Sequence, residues 1–160
     1  MQRIIVTFAA TFMLAAMAAS PAPAVAQSTL HRILEAGEIR VGTTGDWNPM
    51  TIRDPATNTY QGFDIDVVTE LAKDLGVRLV FVSTEWKTLV SGMVAGKYDI
   101  STSASVTPSR IRTVGFTRSY FQVGTVPVAL KKDIDRFSGW DDINRANVRV
   151  AVTLGTSFEQ

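Results

Sequence analysis

Residues 63–83 read FDIDVVTELAKDLGVRLVFVS, and this stretch decides the class of fold. Its first half carries apolar residues at the three- and four-residue spacing of an amphipathic helix. They are Ile65, Val68, Leu71, Ala72 and Leu75. Gly76 ends the helix, and Val77–Val82 is nearly all apolar, as a strand buried in a parallel sheet is. A helix that leads straight into such a strand predicts an α/β fold.

The segments on either side continue the same alternation. Ile39–Thr43 is predicted to be a strand, residues 84–96 a second helix, and Tyr98–Ser103 a third strand. Strands that alternate with helices form right-handed crossovers and a parallel sheet covered by helices. The turn residues at 54–58 lie between two short segments of strand character, which predicts a β-hairpin.

The later part of the chain predicts further strands. Val114–Phe116 and Tyr120–Leu130 are rich in β-forming residues, and Val148–Val152 has the pattern of a strand that leads into a turn. Ser138–Asn144 is predicted to be a short helix or turn. The last unit would be cut at its turn, so we interpret the chain as the front part of a longer protein or a truncated product.

The first 26 residues have the pattern of a secretory signal peptide. Arg3 precedes a nearly unbroken apolar run at residues 4–18, and Ala24–Ala26 supplies a small-residue cleavage site. An uncleaved membrane anchor is the alternative, but the apolar run is short for a membrane span. We therefore expect residues 1–26 to be removed on export to the periplasm.

Composition argues against several kinds of function. The chain has no cysteine and a single histidine, His31, so disulfides, a lipid-anchored cysteine, a transition-metal site and a histidine-based triad are not expected. It carries 16 basic and 15 acidic residues, which become 15 of each without Arg3. Neither nucleic acid nor an anionic membrane surface is predicted as a partner. The glycines form no phosphate-binding motif, and no cofactor is expected.

Three predicted loops leave the carboxyl ends of the predicted strands, where ligands bind in open α/β sheets. The first carries Trp47, the second carries Trp86, and the third is the hydroxyl-rich stretch STSASVTPSRIRT at 101–113. A helix start, Thr107–Pro108, lies within that stretch and is followed by Arg110. Flat apolar walls, hydroxyl groups and a guanidinium at one edge favour a small zwitterion or carboxylate as ligand.

These residues also have purely structural interpretations. Trp86 lies on the apolar face of its helix, so core packing competes with a role as a pocket wall. Arg110 could pair with a surface acid, and Arg112 competes with it as the anion receptor. Asp46 and Glu85 place carboxylates near the expected site, but no catalytic constellation emerges.

A set of short motifs follows one another along the chain. They are RVGT at 40–43 with Trp47 and Pro49, GFDIDV at 62–67, Trp86 with Leu89, YDI at 98–100, SVTPSR at 105–110 and FTRSY at 116–120. Together they resemble the bacterial extracellular solute-binding proteins of the polar amino-acid type, family 3. TTGDW at 43–47 is further similar to the branch of that family that holds the periplasmic cyclohexadienyl dehydratases.

The resemblance implies the type II periplasmic-binding-protein fold, in which two α/β lobes joined by hinge strands close on a ligand. On that basis residues 27–120 are expected to form the first lobe, which would be nearly complete. Residues 121–130 are expected to be the hinge strand region. Residues 131–160 would only begin the second lobe.

The resemblance also implies roles for individual residues. By matched position, Arg110 holds the carboxylate of the ligand and Ser105 lies beside it. Trp47 and Trp86 line the part of the site that holds the ligand side chain. Thr156 adds a hydrogen-bond donor from the second lobe.

Three functions follow from the resemblance. The first is the periplasmic substrate-binding component of an ABC importer, whose membrane subunits are its partners and whose ligand is an amino acid or related small carboxylate. The alternative is a cyclohexadienyl dehydratase acting on prephenate or arogenate. That branch carries a glutamate proton donor where Phe158 stands here, and Glu159 comes one residue later, so binding is favoured over catalysis. The second alternative is a non-functional truncated remnant.

Overall fold

The computed structural model describes residues 28–159. The predicted signal peptide, residues 1–26, lies outside that range and stays a prediction. Among the residues described, no helix has the length and apolar character needed to cross a membrane. Both sheets and the candidate site belong to the compact unit that begins at Ile33.

Short helices and strands alternate along the described range. The helices are α1 (Thr29–Ala36), α2 (Phe63–Leu75), α3 (Leu89–Val94), α4 (Pro108–Ile111) and α5 (Trp140–Ile143). The strands are β1 (Glu38–Thr43), β2 (Asp46–Trp47), β3 (Thr51–Arg53), β4 (Tyr60–Gln61), β5 (Arg78–Ser83) and β6 (Ile100–Ser101). Short 3₁₀ helices cover Trp86–Thr88 and Lys131–Arg136.

The principal sheet has three parallel strands in the order β5-β1-β6. β1 pairs with β5 along its whole length, from Glu38 opposite Arg78 to Thr43 opposite Ser83. β6 pairs with the other side of β1 through two residues. The predicted parallel sheet is therefore confirmed. The predicted hairpin is also present, as part of a small antiparallel sheet in the order β2-β3-β4.

Helix α2 forms where the apolar period predicts it. Asp64 and Asp66 lie in its first turn, where carboxylates favourably oppose the positive end of the helix dipole. Gly76 ends the helix with a φ of 66°, and its N–H bonds back to two helix carbonyls. One cluster of buried residues from α1, β1 and α2 forms the core: Ile33, Ile39, Val41, Val68 and Ala72.

Tyr98 packs so closely that two of its neighbours have to be glycine. A Cβ built at Gly42 would come within 2.6 Å of the Tyr98 ring, and one built at Gly92 within 2.5 Å of the Tyr98 hydroxyl. That hydroxyl donates to the main-chain carbonyl of Leu89, so the buried polar group has a partner. Tyr98 therefore joins β1 to helix α3.

Strand β6 is shorter than the predicted Tyr98–Ser103, for two physical reasons. On one side, the carboxylate of Asp99 accepts the backbone N–H of Arg40 at 2.9 Å and its guanidinium at 2.7 Å, so a side chain replaces part of the ladder. On the other side, Ser103 has a φ of 64°, a left-handed conformation that interrupts a strand.

Three predicted strands are absent from the described structure. Val114–Phe116, Tyr120–Leu130 and Val148–Val152 are irregular, so these three strand predictions are wrong, while the expected hinge region at 121–130 stays a prediction. A strand requires a neighbour that completes its backbone hydrogen bonds, and no described segment pairs with any of the three. The helix or turn predicted at Ser138–Asn144 is confirmed by α5.

Candidate functional site

The carboxyl ends of the three parallel strands meet at one edge of the principal sheet. β1 ends at Thr43, β5 at Ser83 and β6 at Ser101. The first two loops are joined at this edge, because the N–H of Thr84 donates to the carbonyl of Thr43 over 3.1 Å. The topology thus places all three predicted loops where parallel sheets bind ligands.

Two indoles from different loops meet at this edge. The rings of Trp47 and Trp86 lie edge to face, with centroids 6.0 Å apart and planes inclined by 71°. The indole nitrogen of Trp86 donates to both carboxylate oxygens of Asp46, at 2.9 and 3.1 Å. Trp86 is half-buried and packs against Trp47, so its position fits both a packing role and a place in a ligand site.

Trp86 lines a cavity of about 290 Å³. The other lining residues are Thr44, Asp46, Thr84, Glu85, Lys87, Thr153 and Leu154. The hydroxyl oxygen of Thr44 is buried and has no hydrogen-bond partner within the described part of the chain. The cavity therefore combines an aromatic wall with two carboxylates and a lysine.

Arg110 is placed by a short capped helix. Pro108 begins α4, and the hydroxyl of Thr107 accepts the backbone N–H of Arg110 at its N-cap. The side chain is buried, with 5% of the residue exposed. Its guanidinium donates to the carbonyl of Ser105 at 3.1 Å and to the carbonyl of Gly155 at 2.9 Å.

Both acceptors that hold the Arg110 guanidinium are neutral. Between residues 28 and 159, no carboxylate lies within ion-pair distance of it. Burial lowers the pKa of Arg110, because the charged form loses its hydration. A buried cation is costly unless an anion compensates it, so this guanidinium is suited to receive one. Arg112, the competing arginine, is exposed.

The turn at 153–159 sits directly against the predicted site. Gly155 has a φ of 82°, and a Cβ built there would lie 2.3 Å from the backbone nitrogen of Lys87 and 2.7 Å from the carbonyl carbon of Trp86. The hydroxyl of Ser157 donates to the hydroxyl of Ser105 over 3.2 Å. Gly155 and Ser157 were not among the predicted site residues, and a glycine in a predicted turn was the only local signal for either.

Three predicted site residues have contacts that differ from those expected. Ser105 meets Arg110 through its carbonyl oxygen, while its hydroxyl faces Ser157. The hydroxyl of Thr156 donates to the carbonyl of Thr153 at 2.7 Å, so it stabilises its own turn. The carboxylate of Glu159 accepts the N–H of Gly155 at 2.6 Å.

A second cavity, of about 270 Å³, lies beside Trp47. Its apolar wall includes Met50, Leu89, Val90 and Met93, and hydroxyl groups come from Ser103, Ser105 and Tyr120. Arg110 and Thr156 line neither cavity. Trp47 and Ser105 therefore line one cavity and Trp86 lines the other, and the two indole rings are in contact edge to face. Over residues 28–159, no cluster of three potential metal ligands occurs.

The chain is similar to known proteins of the family that its motifs resemble. Residues 39–150 match the family described as bacterial extracellular solute-binding proteins, family 3. The chain is 35% identical over 146 residues to the cyclohexadienyl dehydratase of Pseudomonas aeruginosa, covering 91% of this chain and 54% of that protein. It is 30% identical over 103 residues to the L-cystine-binding protein TcyA of Bacillus subtilis, covering 64% and 38%. The chain spans about half the length of these relatives, or less.

A solved structure supports the same assignment. The ancestral amino acid-binding protein AncCDT-1, a precursor of cyclohexadienyl dehydratase, matches with a TM-score of 0.75 at 38% identity. The match covers 82% of this chain and 58% of that structure. The predicted α/β fold of the periplasmic binding proteins is confirmed by this likeness.

Proposed function

Because the chain belongs to the bacterial extracellular solute-binding proteins of family 3, we propose that it is the periplasmic substrate-binding component of an ABC importer. Its ligand is an amino acid or a related small carboxylate. Relatives named as amino-acid-binding proteins support the proposal, among them the L-cystine-binding protein of Bacillus subtilis. The membrane subunits of the importer are the protein partners that this function requires.

The observation that carries the proposal is the environment of Arg110. The guanidinium is buried and is held by two carbonyl oxygens, with no carboxylate beside it among residues 28–159. A ligand carboxylate would supply the missing negative charge and form charge-assisted hydrogen bonds with a group already fixed in orientation. To reach it, the carboxylate replaces the carbonyl of Gly155 or approaches a remaining N–H group.

The other predicted residues take supporting roles in this proposal. Trp47 and Trp86 form the apolar wall against which a ligand side chain packs, since their rings already meet at the sheet edge. Ser105 holds Arg110 in place through its carbonyl. Thr156 stabilises the turn that carries Gly155, and its backbone belongs to the proposed second lobe.

The proposal includes the division of the chain and its location. Residues 27–120 form the first lobe, 121–130 the hinge region, and 131–160 the start of the second lobe. Residues 1–26 direct export to the periplasm and are cleaved. Mass spectrometry of the protein recovered from a periplasmic extract tests this: a mature N-terminus at Gln27 is expected, and an intact Met1 in the membrane fraction would contradict it.

Calorimetric titration of the full-length protein with L-amino acids and aromatic keto acids tests the proposed function. We expect at least one to bind, and Arg110→Ala to weaken its binding by about 2–5 kcal/mol, because the carboxylate loses a buried charged partner. Arg112→Ala is the matched control, since Arg112 lies two residues away and is exposed. Absence of binding, or equal affinities for the two variants, rejects the proposal.

A second candidate function is that of a cyclohexadienyl dehydratase. The specific observation in its favour is the 35% identity to the Pseudomonas aeruginosa enzyme across 91% of this chain. The carboxylate of Glu159 is held by the backbone of Gly155 and lines neither cavity, which favours binding instead. Incubation of the full-length protein with prephenate decides the matter: formation of phenylpyruvate that is lost in Glu159→Gln supports the enzyme, and no turnover excludes it.

A further inference from the structure

Asp64 is a fully buried carboxylate that the proposed function does not use. None of its surface is exposed to solvent. It lies in the first turn of α2, where its backbone N–H donates to the carbonyl of Met50 over 3.0 Å. From the sequence, an acid at this position is expected only to oppose the helix dipole, a role that needs no burial.

Two hydroxyl groups from distant parts of the chain converge on this carboxylate. Ser103, in the loop after β6, donates to one oxygen. Tyr120 donates to the other oxygen over 2.8 Å. Each oxygen is therefore satisfied by a different segment, so a single side chain couples α2 to the loop after β6 and to the segment that precedes residue 121.

No arginine or lysine of the described range pairs with Asp64. Among residues 28–159, the groups that compensate its charge are the helix N-terminus and the two hydroxyl donors. Burial is the main cause that raises the pKa of Tyr120 to about 12, and the hydrogen bond to Asp64 is the second cause. The phenol therefore remains a donor at neutral pH. Loss of either hydroxyl leaves a buried carboxylate oxygen without its partner.

Both donors are also wall residues of the 270 Å³ cavity. Ser103 and Tyr120 line it together with Trp47, whereas Asp64 does not. Ser103 has the left-handed φ of 64°, a conformation that needs outside support in a residue other than glycine. Phe63 strengthens the same junction, since its ring lies 6.2 Å from that of Tyr120 and 5.6 Å from that of Phe121.

We infer that Asp64 is a positioning residue for the ligand cavity. It holds the loop of Ser103 and the segment of Tyr120 in place at once, and so sets the affinity of a site that it does not line. The part of this inference that concerns ligand affinity rests on the proposed function. The part that concerns the two wall segments does not.

Hydrogen exchange measured by mass spectrometry on the full-length protein tests the structural part. Asp64→Asn keeps the shape of the side chain but removes its charge and replaces one acceptor oxygen by an NH2 donor, so only one of the two hydroxyl groups can still donate to it. We expect exchange in peptides covering 102–106 and 117–121 to rise roughly tenfold or more, the range for a lost hydrogen bond to a charged group. Tyr120→Phe is a milder change at a half-exposed residue. It should accelerate hydrogen exchange in the peptides covering 117–121 and also in those covering 102–106.

Asp66→Asn is the matched control. It removes the same charge from the same helical turn, but Asp66 is exposed. Its exchange in both segments should remain that of the unaltered protein. If Asp64→Asn and Tyr120→Phe behave like Asp66→Asn, or if they accelerate exchange equally across α2 and the principal sheet, the inference is wrong.

Titration of the same variants with L-phenylalanine, L-arginine and phenylpyruvate tests the affinity part. At a temperature where each variant is folded, Asp64→Asn should bind roughly tenfold to a hundredfold more weakly than Asp66→Asn. Unchanged affinity would overturn this part. If neither these three compounds nor any other L-amino acid or aromatic keto acid binds the unaltered protein, it is the proposed function that is in error, and the exchange measurement still decides the role of Asp64.

Discussion

Arg110 and Gly155, separated by 45 positions in the chain, are joined by a hydrogen bond of 2.9 Å from the guanidinium to the main-chain carbonyl. The turn that carries Gly155 rests on the backbone of Lys87, because a Cβ at position 155 would lie 2.3 Å from its nitrogen. The same arginine is held by Ser105. One buried cation therefore ties the hydroxyl-rich loop to the turn at 153–159.

The close contact at Gly155 predicts a cost for any side chain there. We expect Gly155→Ala to destabilise the protein by about 1–3 kcal/mol, because the new methyl meets backbone atoms that cannot rotate away and the φ of 82° disfavours alanine. Urea denaturation of the full-length protein measures this. Gly124→Ala, whose methyl meets nothing within 4 Å, should change stability by less than about 0.5 kcal/mol. Equal losses of stability in the two variants would contradict the close contact between the turn and the backbone of Lys87.

The ion pair between Arg40 and Asp99 predicts a large loss of stability when the carboxylate of Asp99 is removed. The side chain of Asp99 is 3% exposed, whereas that of Arg40 is 29% exposed. Removing one partner of a buried pair costs about 3–5 kcal/mol, and we expect about 2 kcal/mol for Asp99→Ala because water still reaches Arg40. Chemical denaturation checks the value.

The control for Asp99 is an ion pair on the surface. Glu70 and Lys73 are 2.6 Å apart, but their side chains are 67% and 64% exposed. Glu70→Ala should therefore cost no more than about 0.5 kcal/mol. A loss as large as that of Asp99→Ala would mean that burial does not set the difference.

The phenol of Tyr120 predicts a pH dependence in the alkaline range. Its pKa is raised to about 12 from the ordinary value of 10.0, mainly by burial and then by Asp64. The folded state thus holds the proton more tightly, so this stabilisation is complete below pH 10 and is lost as the pH rises towards 12. Absorbance of the phenolate near 295 nm, taken as the difference from Tyr120→Phe, should show a midpoint near 12. A midpoint near 10 would contradict the contact.

The contact between Asp46 and Trp86 predicts a change in the aromatic pair. Asp46→Ala leaves the indole N–H without its acceptor, so Trp86 should lose its fixed orientation against Trp47. Near-ultraviolet circular dichroism should weaken, while stability falls by about 1 kcal/mol or less because Asp46 is exposed. Asp46→Asn keeps an acceptor oxygen and should retain the signal. Identical spectra for all three proteins would reject the role of Asp46.

Much of the fold could be predicted because its signals are local. The apolar period of α2 and the apolar run of β5 lie within 21 residues of each other, and they are enough to identify a parallel α/β sheet. The strands expected at Tyr120–Leu130 and Val148–Val152 failed because β-forming composition says only that a strand would fit. It does not supply the neighbouring backbone that a strand needs.

The candidate site was predictable to the level of its loops, not of its contacts. Arg110 could be preferred over Arg112 only through the resemblance, and its burial is consistent with that choice. Its partner Gly155 could not be found, since no local pattern links positions 45 residues apart. Asp64 was overlooked for a different reason: an acid in a first helical turn has an ordinary explanation, and only the structure reveals its burial.

Strand β5 bears on how the protein behaves in concentrated solution. Within residues 28–159 it pairs on one edge only, with β1. No strand of that range pairs with its second edge, and its central residues, Leu79–Val82, are apolar and half-buried. Such an edge is a template on which a strand of another molecule can add, and ordered aggregation begins this way. Arg78 is the only charged residue in β5, and its charge disfavours such pairing.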